Sequence, residues 1–247
     1  MPLLQRKKVI KFIPCINYAE INDHVSALVC SLVKKNKNTV LGFSVGITME
    51  DLYNKIITKA HKQKISFKNT ITFNTDEYLE THKHHQKHTK TSFMKEHLFS
   101  KLDIKLENTN FPTSKNYKTY DKKIKALGGI DLLILTIGVN GYVGANEPDT
   151  KFHSWTHIQK LSETTKNNLM TLFDEKINVP NQVITMGIQS ILQAKKIVLI
   201  AVGESKAAAV NKLFKNKYNP LWPVTTLIYH DDVTLYADTK ACKLIQK

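Results

Sequence analysis

Residues 138–148 combine three regularly spaced glycines with side chains that could carry acid–base chemistry. The glycines recur at every third position, and Asn140, Tyr142 and Glu147 stand between and after them. Glycine adopts positive φ easily and lets the backbone approach a ligand closely, at an entropic cost that a purely structural turn seldom needs three times. The spacing alone fits an ordinary glycine-rich connection equally well. The stretch is therefore a candidate ligand-binding loop that contains a carboxylate.

Two adjacent carboxylates, Asp76 and Glu77, form a second candidate site. They follow residues 69–74, a β-branched and aromatic run that predicts a strand. Because adjacent residues point in different directions, one carboxylate can face a pocket while the other is held in its wall or caps the next segment. An isolated Asp-Glu pair is more often a helix-start cap than a catalytic base.

Two further places could bind an anion such as a phosphate. Ser44, Gly46 and Thr48 lie between a short apolar strand and a helix, where amide groups at the helix amino end could face a ligand. An ordinary strand–helix turn capped by Thr48 is the alternative. Lys206 is expected in the first turn of another helix, where a positive side chain opposes the helix dipole. Its position therefore favours an anionic ligand.

The apolar pattern predicts the elements that would position these residues. Apolar runs occur near 39–43, 70–74, 131–137, 183–188 and 196–202, and strands are also expected at 227–230 and 234–237. Amphipathic spacing predicts helices over 17–35, 49–62, 92–102, 117–127 and 163–174. This alternation predicts an α/β fold, a doubly wound, mostly parallel, Rossmann-like sheet with helices on both faces. The candidate residues would then meet above the carboxyl ends of the strands.

Composition narrows the class of protein. A length of 247 residues fits a single α/β domain spanning residues 1–247. The chain has 36 Lys and Arg against 21 Asp and Glu, a formal charge of +15. The lysines are scattered and accompany no nucleic-acid-binding motif. We therefore expect a solvated basic surface that also attracts an anionic small-molecule substrate, and no nucleic-acid partner.

Cysteine and histidine usage bears on compartment and metal content. Cys15, Cys30 and Cys242 are far apart and odd in number, which excludes a disulfide framework and a C-x-x-C metal site and indicates a reducing, cytoplasmic location. The histidine cluster 82–88 has no spacing that would close a tetrahedral metal site, so no metal is predicted. No segment reaches the roughly 18 apolar residues of a membrane span, and none resembles an export signal.

Both candidate stretches resemble one known family. Residues 72–78 are similar to the T-F-N-x-D-E-Y segment of the glucosamine-6-phosphate deaminase/isomerase family. The family's G-x-N/D-G-H-x-G/A-F-N-E-P signature is matched at Gly138, Asn140, Gly141, Gly144, Asn146, Glu147 and Pro148. The resemblance extends over about residues 13–240.

The resemblance implies an enzyme that opens the ring of a phosphorylated amino sugar, moves a proton from C2 to C1, and releases ammonia and a ketose phosphate without a cofactor. It implies Asp76 as the base for the C2 proton. The ring-opening relay would consist of Asn140, Tyr142 and Glu147. Lys206 would bind the phosphate. The other substrate-binding positions implied by the match are Ser44, Gly46, Thr48, Glu77, Gly138 and Gly141.

The chain departs from the family pattern in the ring-opening relay, in the phosphate loop and beyond them. Tyr142 replaces a histidine, and a phenol with a pKa near ~10 is a poor substitute at neutral pH. The other departures are Val45, Ile47, Ala145 and Thr171, the last standing where the family often has an arginine.

Two alternatives therefore stay open. One is a catalytically weakened sugar-phosphate-binding protein. The other is an enzyme similar to a 6-phosphogluconolactonase. Residues 76–78 and 146–148 argue against this second alternative. The sequence leaves open the preferred C4 epimer, allosteric control and the oligomeric state, a homo-oligomer included.

Overall fold

The computed structural model describes residues 9–79, 88–170 and 179–245. In chain order its strands are β1 (Lys11–Cys15), β2 (Val40–Phe43), β3 (Ile71–Asn74), β4 (Asp76–Tyr78), β5 (Thr109–Asn110), β6 (Leu132–Thr136), β7 (His157–Lys160), β8 (Gln182–Thr185), β9 (Ile197–Ala201) and β10 (Val233–Asp238). Seven strands pair in parallel in the order β1-β10-β9-β6-β2-β3-β5. The strands β4, β8 and β7 form a small antiparallel sheet.

Helices alternate with these strands. They are α1 (Tyr18–Lys35), α2 (Glu50–Lys62), α3 (Lys90–His97), α4 (Tyr117–Ala126), α5 (Glu163–Met170), α6 (Ile188–Leu192) and α7 (Ala207–Phe214). Single turns of 3-10 helix occur at Ile47–Met49, Phe99–Lys101, Leu106–Asn108 and Glu204–Lys206, and a longer 3-10 segment spans Pro223–Tyr229. No helix of the described residues combines the length and the apolar character needed to cross a membrane.

Both faces of the parallel sheet are buried, which explains the nearly continuous apolar run of β6. Leu133 and Leu135 pack on the face covered by α4, α6 and α7. Leu132 and Ile134 pack on the opposite face, under α1, α2 and α3. Burying one such side chain contributes about 1.5–3 kcal/mol. The predicted fold class, a mostly parallel sheet with helices on both faces, is confirmed.

The strand order reverses between β2 and β6. From β2 the chain proceeds outward to β3 and β5, whereas from β6 it proceeds in the other direction to β9 and β10. The loops that leave β2 and β6 therefore diverge and open a crevice at the carboxyl ends of these strands. Open α/β sheets bind ligands at such a point.

The second sheet corrects two predictions from the sequence. Residues 183–188 were expected to supply a strand of the parallel sheet, but β8 pairs antiparallel with β4 and β7. Residues 75–78 were expected as a loop, but Asp76–Tyr78 forms β4. Val183 is buried against Tyr78, Ala145 and Leu161, a small apolar cluster separate from the main core. An apolar run indicates that a strand is buried, not which sheet buries it.

Two other elements differ from the prediction, and a third is described only in part. Residues 227–230 were expected as a strand but belong to the 3-10 segment Pro223–Tyr229, where Thr226 Oγ1 donates to the carbonyl of Pro223 at 2.7 Å. The helix expected over 92–102 begins at Lys90 and ends at His97. The helix expected over 163–174 is seen as Glu163–Met170, and its predicted remainder, with Thr171, lies outside the described residues. The edge strand β1 and the strand β7 were not predicted.

Candidate active site

A cavity of about 510 Å³ opens at the carboxyl ends of the central strands. Its lining comes from the loops after β2 and β6, from β4, from α3 and from the segment after β9. The predicted site residues that line it are Ser44, Gly46, Thr48, Asp76, Tyr142, Glu147 and Lys206. The other predicted residues, Glu77, Gly138, Asn140 and Gly141, lie outside the lining. The fold thus brings together residues from four separate segments of the chain.

Asp76 presents a buried carboxylate to this cavity, with only 2% of the residue exposed. Thr75 Oγ1 donates a hydrogen bond to Asp76 Oδ1 at 2.6 Å. The ammonium group of Lys90 forms an ion pair with Asp76 Oδ2. A buried charge is costly unless it is paired. The two partners therefore offset the cost of burying the carboxylate and fix its orientation.

Lys90 is a cavity residue that the sequence analysis missed. It is the first residue of α3, and its side chain is 15% exposed. Burial lowers the pKa of Lys90 to about 7, and the ionised Asp76 carboxylate opposes this by favouring the ammonium form. The predicted helix began at residue 92, so the argument that singled out Lys206, a lysine at a helix start opposing the helix dipole, did not apply to Lys90.

Glu77 points away from Asp76 and holds the start of α3. Its carboxylate accepts hydrogen bonds from the backbone N–H groups of Tyr78 at 2.8 Å, Lys90 at 3.1 Å and Thr91 at 2.8 Å. The hydroxyl of Thr91 also donates to it, at 2.6 Å. Both oxygens are thus engaged with protein groups. The geometry supports an anchoring role for Glu77 and gives no support to its predicted contact with substrate.

The glycine-rich loop makes a tight turn beside the cavity. The N–H of Gly138 donates to the carbonyl of Tyr142, and the N–H of Gly141 donates to the carbonyl of Gly138, both at 2.9 Å. Gly141 has φ +76° and Gly144 has φ +61°, values that disfavour other residues. A Cβ at Gly138 would overlap the ring of Tyr142. Gly138 and Gly141 therefore shape the turn that places Tyr142 on the cavity wall.

Glu147 is held in the wall by neutral donors from two residues, and its Oε1 accepts from the N–H of Ser162 at 3.4 Å. Its Oε2 accepts from Asn140 Nδ2 at 3.1 Å and from Ser162 Oγ at 3.2 Å. Asn140 thus acts on Glu147 from outside the lining, and Ser162 was not predicted. Burial raises the pKa of Tyr142, and the Glu147 charge raises it further. The Tyr142 phenol therefore stays protonated at neutral pH.

The lining of the cavity also includes groups that suit an anion. Lys206 lies in the 3-10 turn before α7, half-buried, and burial lowers its pKa. Within the described ranges Lys206 forms no ion pair. Ser44 Oγ is buried and has no hydrogen-bond partner among the same residues. Thr48 lies in the turn that leads into α2. These groups could satisfy the oxygens of a phosphate.

The described residues contain one group of side chains with metal-like spacing, and it lies away from the cavity. Ligand atoms of Cys15, Glu20 and His24 lie within 4.8 Å of one another. Glu20 Oε2 already accepts from the N–H of Ile16 at 2.7 Å. Burial raises the pKa of Cys15 to about 11, which disfavours the thiolate that a metal requires. Of the histidine cluster, only His88 is described, and it lines the cavity.

Comparisons with known proteins agree with this geometry. Residues 18–236 match the model of the family described as glucosamine-6-phosphate isomerases/6-phosphogluconolactonase. A glucosamine-6-phosphate deaminase of Malacoplasma penetrans is 37% identical, over 92% of this chain and 97% of that protein. A glucosamine-6-phosphate deaminase of Mycoplasma mycoides is 39% identical, over 94% of this chain and 96% of that protein.

Solved structures show the same relationship. A monomeric glucosamine-6-phosphate deaminase superposes with a TM-score of 0.91 at 32% identity, covering 95% of this chain and 100% of that one. A 6-phosphogluconolactonase from Trypanosoma cruzi shares the fold, with a TM-score of 0.76 at 16% identity over 99% of this chain and 100% of the other. The chain belongs to the family of glucosamine-6-phosphate isomerases and 6-phosphogluconolactonases.

Proposed function

We propose that the protein is an amino-sugar-phosphate deaminase that converts glucosamine-6-phosphate, or its C4 epimer galactosamine-6-phosphate, to a ketose phosphate and ammonia. The observation that carries this proposal is the placement of Asp76, Glu147 and Lys206 on one cavity at the strand-order reversal. Two carboxylates can move protons on the sugar. A lysine without an ion-pair partner in the described chain can bind the phosphate.

Asp76 carries the central proton transfer. After ring opening, its carboxylate takes the proton from C2 and delivers it to C1, and hydrolysis of the resulting C2 imine releases ammonia. A positioned base of this kind must be ionised and fixed in orientation before the substrate arrives. The contacts with Thr75 and Lys90 support both requirements.

Phosphate binding is assigned to Lys206 and to the loop after β2. Lys206, Ser44 and Thr48 hold the phosphate, together with the backbone of Gly46 before α2. Asn140, Tyr142 and Glu147 form the ring-opening relay, and the hydrogen bond from Asn140 to Glu147 supports that grouping. The Tyr142 phenol can donate a proton but, with its pKa raised, does not exchange one near neutrality.

The alternatives are separable by one set of assays. The protein is incubated with glucosamine-6-phosphate and galactosamine-6-phosphate, and ammonia and ketose phosphate are measured. Hydrolysis of 6-phosphogluconolactone and ligand-induced thermal shift are measured beside them. Release of ammonia and ketose phosphate in equal amounts supports the proposal. A thermal shift without turnover supports a weakened binding protein, motivated by Val45 in the cavity and by Tyr142. Lactone hydrolysis alone identifies a lactonase.

The cellular location is proposed from the cysteines alone, and the oligomeric state is left to measurement. Cys15, Cys30 and Cys242 are free thiols in the structure, which supports a reducing, cytoplasmic compartment. Fractionation of cells checks this. Light scattering of the purified chain determines whether it is a monomer or a homo-oligomer.

A further inference from the structure

We infer that Lys90 is a catalytic acid–base residue of this site, which exchanges the ring-opening proton from beside Asp76. Lys90 thereby supplies the proton exchange near neutral pH that the Tyr142 phenol cannot supply. This inference rests on the proposed deaminase function. Neither the sequence motifs nor the resemblance assigns a role to Lys90.

The position of Lys90 carries the inference. Its side chain lines the cavity that contains Asp76, Tyr142 and Glu147. Its ammonium group pairs with Asp76 Oδ2 and lies 5.4 Å from the centre of the Tyr78 ring. With 15% of its side chain exposed, Lys90 can reach a ligand in the cavity without being surrounded by bulk water.

The charged and titratable groups near Lys90 come from β4 and α3, and His88 and Glu96 line the same cavity. The β4 strand contributes the Asp76 carboxylate and the Tyr78 phenol, whereas the Glu77 carboxylate is engaged with backbone N–H groups and the hydroxyl of Thr91. Further along the cavity wall, His97 of α3 contacts Glu50 of α2 at 3.4 Å.

Lys90 is suited to proton exchange near neutrality in a way that Tyr142 is not. Burial lowers the pKa of Lys90 to about 7, close to neutral pH. Burial and the Glu147 charge raise the pKa of Tyr142, which keeps that phenol protonated. An efficient acid–base group has a pKa near the working pH. Lys90 has this property in the position where the chemistry occurs.

The ion pair provides a balanced proton path for ring opening. As the bond between C1 and the ring oxygen breaks, the ring oxygen keeps the electron pair and takes a proton from the Lys90 ammonium. The C1 hydroxyl gives its proton to the Asp76 carboxylate, and its electron pair completes the C1 carbonyl. Asp76 then returns that proton to the neutral Lys90 amine, which restores the ion pair. The carboxylate is thereby ready to take the C2 proton.

A simpler role for Lys90 would be to neutralise Asp76 as a fixed charge. Arginine separates the two roles, because it keeps the positive charge but does not deprotonate in proteins. We expect Lys90→Arg to lower kcat by about 10²-fold or more, with KM within several-fold. The limb of the pH profile that reports a near-neutral group should also disappear. Lys95→Arg, at an exposed position on the same helix, is the matched control and should leave kcat unchanged.

A double variant tests whether Lys90 replaces the missing histidine. Tyr142→His should recover part of the activity that Lys90→Arg loses, because it restores a group that exchanges protons near neutrality. Circular dichroism and thermal unfolding verify that each variant is folded. No recovery in a folded double variant would contradict the proposed division of work.

A titration of Lys90 followed by NMR provides a readout that does not depend on turnover. NMR of the chain with isotopically methylated lysines should show the Lys90 signal titrating near neutrality, and Asp76→Asn should move that titration. A Lys90 signal that titrates only near the ordinary lysine pKa of ~10.4 would overturn the inference.

The two proposals fail in distinguishable ways. If the unmodified protein releases ammonia and Lys90→Arg does so at the same rate with the same pH profile, only the role of Lys90 is wrong. If the unmodified protein releases no ammonia from either amino-sugar phosphate, the proposed function is wrong, and the catalytic role of Lys90 falls with it.

Discussion

The ring of Tyr142 packs directly against Gly138, so closely that a methyl group on Gly138 would overlap it. The same two residues are joined by a hydrogen bond from the N–H of Gly138 to the carbonyl of Tyr142, at 2.9 Å. The turn and the orientation of the phenol are therefore one structural unit. The glycine is required here for space and not as a ligand of the substrate.

We expect Gly138→Ala to lower the free energy of unfolding by about 1–3 kcal/mol, the usual effect of overpacking a tight contact. Gly46→Ala is the matched control, since a Cβ at Gly46 would meet no described atom within 4 Å. Urea denaturation of both variants measures the difference. Equal stability of the two would show that the loop relaxes without loss.

Asp76→Asn should abolish turnover while changing substrate affinity by no more than several-fold. The amide keeps the shape of the side chain and its capacity for hydrogen bonds, but it cannot take the C2 proton. Single-turnover ammonia release and calorimetric binding provide the two measurements. Ammonia release at the unmodified rate would remove Asp76 from the mechanism.

Lys206→Ala should weaken the binding of phosphorylated amino sugars specifically. A charge-assisted contact with phosphate contributes roughly 1.5–3 kcal/mol. Calorimetry in an Asp76→Asn background avoids turnover and compares glucosamine-6-phosphate with glucosamine. Lys215→Ala, at an exposed position beyond the end of α7, serves as the control. An equal loss for both sugars would contradict a phosphate-binding role.

Tyr142→His should raise kcat on the closed-ring substrate, because histidine exchanges protons near neutral pH. General acid–base groups contribute about 10²–10⁴-fold, and the gain should be at or below the low end of that range if Lys90 already supplies the exchange. Steady-state assays from pH ~6 to ~9 measure it. A folded Tyr142→His variant without any gain would place the limiting step outside ring opening.

Lys90 should also make stability depend on pH. Burial lowers the pKa of folded Lys90 from 10.5 to about 7, so between these values the unfolded chain binds more protons than the folded one. The free energy of unfolding then rises with pH, by at most about 1.4 kcal/mol per pH unit from this group. We expect a smaller slope for Lys90→Met between pH ~7 and ~8.5, measured by urea denaturation at each pH. Identical slopes would show that Asp76 keeps Lys90 protonated.

The parallel sheet was predictable because its strands are buried on both faces. The runs that became β2, β6 and β9 are almost entirely apolar, and β3 is β-branched and aromatic, patterns that local sequence reveals. The edge strand β1 escaped prediction because Lys11, its first residue, interrupts the apolar run 9–13 and because its side chains are mostly exposed or half-buried. The pairing of β4 with β8 joins segments more than a hundred residues apart, and no local pattern encodes it.

Some residues of the candidate site were likewise predictable from local sequence, and others were not. Asp76, Glu147 and Lys206 stand in recognisable motifs at strand ends or helix starts, and the fold brings them to one cavity. Lys90 follows Asp76 by 14 positions, and it meets Asp76 because α3 returns over β4. Ser162 contacts Glu147 across a similar interval of 15 residues. Such contacts depend on how the intervening segments fold, so they cannot be predicted from the residue types alone.

The hydrogen bonds of Glu77 bear on how this site can evolve. Glu77 binds the backbone N–H groups of residues 90 and 91 and the hydroxyl of Thr91, and none of these contacts involves the side chain at position 90. The start of α3 is therefore anchored with any residue at position 90 that keeps its backbone N–H, which excludes only proline. A lineage can exchange that side chain beside Asp76 without losing the helix that carries it. The side chain at position 90 can thus change in evolution while its backbone stays at the same place beside Asp76. Under this condition a proton-exchanging group can be lost at one position of an active site and gained at another.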